Sequence, residues 1–109
     1  FTLNVTRADM IAAGWSPSVR LFEAGACRTP IISDWWDGLS DLLPDGEAII
    51  IAKTSDDVVR ALGEISAERR EAMADRAQAI VLADHTGLAR AHQLLAALGR
   101  TPEELHNAV

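Results

Sequence analysis

Basic residues are in short supply. Ten Lys and Arg stand against sixteen Asp and Glu, a formal net charge of −6. No cationic excess exists to displace counterions, which argues against nonspecific binding to nucleic acid or to an anionic membrane. A local phosphate site remains open. Cysteine is nearly absent: Cys27 stands alone. No internal disulfide can form, and a reducing, cytoplasmic setting is expected. No apolar run nears the ~18 residues of a membrane span, and no signal-peptide pattern is present. Glycine-rich phosphate loops of the Walker or dinucleotide type are missing. His85, His92 and His106 are scattered and share no zinc spacing with Cys27, so no metal and no resident cofactor are expected. Repeats and low-complexity linkers are absent.

What is there suits one domain. The chain has 109 residues, 49% of them hydrophobic, enough for a real core. It opens on Phe1 rather than Met, so upstream material is expected.

Three short apolar segments read as strands: 1–6, 30–33 and 47–52. Strands apolar on both faces suit a parallel sheet covered by helices. Between the first two, Ser16 reads as an N-cap with Pro17 at the first helical position. Val19, Phe22 and Ala26 form the stripe of a helix over about 17–27, with Leu21 alongside. Cys27, at its inner end, reads as a small core residue. "PDG" (44–46) marks a turn. Thr54 or Ser55 caps the next helix, with Val58, Val59, Leu62 and Ile65 inward and Asp56 and Asp57 at its positive end. Ser66 caps a helix over 67–83 with Met73, Ala77, Ile80 and Val81 buried. Thr86 caps another, to about 98, striped by Leu88, Ala91, Leu95 and Leu98 and stopped by Gly99. "TPEEL" starts a short final helix. The alternation predicts an α/β, Rossmann-like half domain: a three-stranded parallel sheet in sequence order with helices on both faces.

Ligands of such sheets bind at the carboxyl ends of the strands, beside helix N-termini. "GWSPS", "SDWWDG" and "AKTSDD" reach that edge. Gly14 permits a tight turn, and Ser16, Pro17 and Ser18 lead into N–H groups and a positive dipole end that attract phosphate. A capped helix of this kind is more often merely structural. Arg20 and Glu23 lie three apart on its first turns. A carboxylate there suits a ribose diol, although spacing alone equally describes a surface pair. Asp34 ends the second strand. Trp35 and Trp36 follow it; one ring could stack on a base or sugar, while the plainer reading packs one beneath the loop.

These segments together resemble a family. "NVTRADM", "GWSPSVRLFEAGACRTPIISDWWDGL", "PDGEAIIIAKTSDDVVRAL" and "ERREAMADRAQAIVLADHTGLAR" look like the C-terminal lobe of GT-B glycosyltransferases, in the spore-maturation-protein-like (CgeB-type) branch. The likeness runs from about residue 3 to 98, and "PSVRLFEAGAC" followed by "TPIISD" is its most specific part. It implies a sugar transferred from a nucleotide-sugar donor to an acceptor. Glu23 matches the glutamate that holds the ribose hydroxyls, and Ser16, Pro17 and Ser18 match the turn near the diphosphate. It also implies that the chain is one part of the donor lobe, with the acceptor lobe and the diphosphate-gripping basic residues upstream. The fragment alone is then expected to be inactive. Two positions depart from the family. Trp15 stands where many retaining members carry a second glutamate. Arg28 follows the cysteine where glycine is usual, which implies strain or a changed turn at a left-handed helix end. A nucleotide-sugar epimerase of the same fold, or a noncatalytic binding module, are the competing readings. An open edge at 1–6 and apolar surface on the last helices further predict a homodimer.

Overall fold

The computed structural model of the chain describes residues 1–106. Its elements run β1 (Thr2–Asn4), α1 (Ala8–Ala13), α2 (Val19–Ala26), β2 (Ile31–Asp34), α3 (Leu39–Leu42), β3 (Ile50–Ala52), α4 (Ser55–Glu64), α5 (Ala67–Asp84), α6 (Gly87–Ala97) and α7 (Pro102–His106). The strands form one sheet in the order β1-β2-β3. Both pairings are parallel, with Leu3 beside Ile32 and Ile32 beside Ile50. The expected Rossmann-like half domain is therefore present.

Alternation along β2 divides the core. Ile31 faces a cluster with Leu21 of α2, Ala77 of α5, Trp36, Leu39, Leu43 and Ile49. Ile32 faces the opposite side, with Ala52 and with Ala61 of α4. Helices thus cover both faces, which is why the strands carry no polar stripe. Helix α2 is seated closely on α5: a Cβ on Gly25 would lie 2.7 Å from Val81 Cγ2.

Several local expectations change. Helix α2 begins two residues later than expected. Its N-cap is Ser18 rather than Ser16, and Pro17 precedes the helix. Val19 is exposed and the buried residues are Leu21 and Gly25; the helix rotates to meet α5. On α4, Val59 and Leu62 are exposed and Ala61 is buried, because only one flank of this helix meets the sheet. Leu88 and Ala91 of α6 and its C-cap Leu98 are exposed as well, and the helix packs chiefly on α5. Cys27 is exposed, since it caps the end of α2 instead of lying on its inner face.

The two sheet edges differ. Along β3, the Ile51 N–H donates to Asp45 Oδ1 at 2.9 Å, and Asp45 bridges to Ile49. A turn thus covers that edge. Along β1, Leu3 and Val5 are exposed, and β1 pairs only with β2 among the described residues.

Candidate functional site

The carboxyl ends of β1 and β2 are tied together by polar side chains. Asn4 Nδ2 donates to Ser33 Oγ at 3.0 Å, in a buried contact. The Asp34 carboxylate accepts the Thr6 N–H and the Thr6 hydroxyl, both at 2.7 Å. Two charge-assisted bonds to one residue fix where the chain leaves each strand.

The segment that follows α1 and the loop that leaves β2 also meet. The Trp15 N–H donates to the Asp37 carbonyl at 2.9 Å. Trp15 sits at φ 47, between Gly14 and a chain that turns toward α2. Its ring lies against Gly38, where φ is 97 and a Cβ would fall 2.5 Å from the indole. No L side chain fits there. "GWSPS" and "SDWWDG" thus form one surface, and Trp15 with Gly38 is its joint. Sequence reasoning missed this pairing; its signal was the glycine at each tryptophan segment.

The tryptophan pair divides. Trp36 is 1% exposed and belongs to the core, so stacking on a ligand is ruled out for it by burial. Its Nε1 has no hydrogen-bond partner among the described residues. Trp35 is 50% exposed. It lines an open cleft of about 500 Å³ with Ile11, Asp34, Ala52 and Lys53. Lys53, within the "AKTSDD" segment expected at this edge, is the only lysine of the chain, and nothing but its place after β3 marks it individually.

Two helices of two turns or more start at this edge, and their starts are built differently. At α4, Thr54 and Asp57 form a reciprocal capping box. Asp57 Oδ2 accepts the N–H groups of Lys53 and Thr54 at 3.0 Å each. Those bonds, that of Lys53 first, hold the Asp57 carboxyl below the usual carboxylate range. Asp56 adds a second negative charge to the first turn. At α2, the first turn has no acidic residue. Ser18 Oγ accepts the Arg20 N–H at 3.3 Å, and the Arg20 and Glu23 side chains are exposed. A cation at a helix start opposes the dipole, so this terminus keeps its positive potential. Ser16 and Pro17 therefore lie in the connection from α1 to α2, Ser18 caps α2, and Arg20 and Glu23 lie in its first turns, while Asp34 with Trp35 stands at the end of β2.

The far end of α2 is fixed. Arg28 adopts φ 57, the left-handed conformation expected where the family has glycine. Thr29 N–H bonds to Ala24 O at 2.9 Å and Arg28 N–H to Gly25 O at 3.0 Å, the double closure of a Schellman end. The Arg28 guanidinium pairs with Asp75 of α5, and Gln78 Nε2 donates to Ala26 O at 2.9 Å. The pairing holds the Asp75 carboxyl below its usual range.

Residues 1–96 match the glycosyl transferase-like family. The chain belongs to that family. No curated protein and no solved structure gives a significant match. Among the described residues no helix is long and apolar enough to cross a membrane.

Proposed function

We propose that this glycosyl transferase-like chain is the donor-binding part of a GT-B enzyme, in the CgeB-type branch. Its substrate is a nucleotide sugar, whose sugar passes to an acceptor held by a second lobe upstream. The single observation that carries the reading is the start of α2. It is a positive helix end at the carboxyl edge of a parallel sheet, with Arg20 in its first turn and no acid to neutralise it. The diphosphate lies against Ser16, Pro17, Ser18 and Arg20, where N–H groups and cation act together. Glu23, one turn along, accepts two hydrogen bonds from the ribose diol. Trp35 offers a half-exposed ring to base or sugar.

The chain has one wall of such a cleft. Transfer needs reactants aligned between two walls, so the chain by itself transfers no sugar. The experiment that tests the reading is calorimetric titration of the two-lobed enzyme with nucleoside diphosphates. Glu23→Ala weakens binding by about 1–3 kcal/mol, the scale of a lost charge-assisted hydrogen-bond partner, and leaves folding nearly unchanged because Glu23 is exposed. Unchanged affinity with a large loss of stability assigns Glu23 a structural role instead.

A further inference from the structure

The segment "DHTGLAR" joins α5 to α6, and the donor site makes no use of it. Helix α5 ends at Asp84, and His85 is its C-cap, its N–H bonded to Val81 O at 2.9 Å. Thr86 immediately caps α6, its Oγ1 accepting the Ala89 N–H at 3.1 Å. The joint between the helices is therefore two residues long. Around it three side chains meet. The His85 ring lies 5.1 Å from the Phe22 ring of α2, tilted by 44°. The Arg90 guanidinium of α6 stands 6.0 Å from the same Phe22 ring. It also reaches His85 Nδ1 at 2.5 Å. Arg90 donates further to Gln93 Oε1 at 2.8 Å, and Gln93 Nε2 donates to Asp84 O at 3.3 Å.

Arginine is a donor only, so His85 Nδ1 must be the acceptor, with the ring proton on Nε2. Protonation would place N–H groups on both ring nitrogens and set two cations against each other. We propose that His85 and Arg90 form a proton-sensitive clasp that fastens α6 to α2, and that proton uptake by His85 releases α6.

Helix α6 is held only weakly by burial. It has no buried residue of its own, and Leu88, Leu94 and Leu98 are exposed. The charged groups acting on the ring are Arg90 from α6 and Asp84 from α5, while α2 offers uncharged Phe22. Burial, then Arg90, pushes the His85 pKa down, and Asp84 opposes them. A folded-state value below the ordinary ~6.5 fixes the sign. The clasp contributes fully above the ordinary histidine range and is lost as pH falls through the depressed value. It needs no ligand at the start of α2, so it stands or falls apart from the donor reading.

Amide hydrogen exchange, corrected to intrinsic rates and followed by NMR on the whole chain, tests the clasp. Protection across α6 should fall several-fold between about pH 7.5 and about pH 5, while α5 keeps its protection. His85→Asn retains an acceptor near the Nδ1 position and cannot titrate, so its α6 protection should stay level over that range. His92→Asn, on α6 itself, should leave the response intact. Level protection in the unaltered chain overturns the proposal. So does a response that survives His85→Asn or disappears with His92→Asn. Should His85→Asn fail to fold, the ring protons of His85 decide: Arg90→Gln must raise their titration midpoint, and an unmoved midpoint refutes the clasp.

Discussion

The two helix starts at the sheet's carboxyl edge, and the two strand edges beside them, treat their own backbone groups in opposite ways. On the β3 side the protein seals itself with aspartates. Asp45 takes the outward N–H of Ile51, and Asp57 takes those of Lys53 and Thr54. On the β1 side the strand edge carries exposed Leu3 and Val5, and α2 begins with Arg20 and no acid. A chain that closes one side with its own carboxylates can close the other by the same means. On the proposed function, the open start of α2 is where the donor's anion would lie, and the exposed β1 edge is where further sheet would pair.

The largest expected effect concerns the strand edges. An uncovered edge recruits strands from other chains, so the isolated chain should associate as a two-fold dimer through β1 at micromolar concentration. Light scattering should show that Val5→Lys returns it to a monomer. A dimer that survives Val5→Lys places the contact elsewhere, and a clean monomer of the unaltered chain removes the contrast between the edges.

A smaller effect separates the seating of the two helices. Gly25 of α2 has Val81 Cγ2 at 2.7 Å from where a Cβ would be, whereas Gly63 of α4 has nothing within 4 Å. Gly25→Ala should lower stability by about 1–3 kcal/mol through overpacking. Gly63→Ala should raise it by about 0.5–1 kcal/mol, the helical cost of glycine being removed. Denaturant unfolding checks both, and equal signs would mean that α2 is seated no more tightly than α4.

Between these in size lies the cap that seals α4. Thr54→Ala should cost about 1 kcal/mol, again by denaturant unfolding, with nucleotide binding untouched. A loss of binding would bring the start of α4 into the site and erase the contrast.

Much of this arrangement was legible in the sequence. Strand order and parallel pairing followed from runs apolar on both faces, such as Ile49–Ile51. The caps at Thr54, Ser66 and Thr86 are where capping chemistry placed them. At Arg28, strain or a changed turn was the expectation; the turn is kept, and the arginine takes the left-handed conformation that suits glycine. What was not legible depends on contacts distant in sequence. Ser16 and Ser18 are both sound caps, and Pro17 favours the first. The choice falls to Ser18 where Trp15, held against Gly38, carries the chain past residue 17. Trp35 and Trp36 are chemically alike, and only the packing of α3 and β2 decides which ring is buried. On α4, Val59 and Leu62 fit an apolar stripe as well as Ala61 does, yet a single flank meets the sheet.

The central claim is that anion binding belongs to the start of α2 and not to that of α4. Titrating inorganic pyrophosphate into the isotopically labelled chain and following backbone amide resonances tests it most directly. The account predicts progressive shifts at Val19, Arg20 and Leu21, abolished by Arg20→Glu, with Ser55, Asp56 and Asp57 unmoved. Shifts centred on Ser55–Asp57, or shifts at Val19–Leu21 that persist in Arg20→Glu, would contradict it.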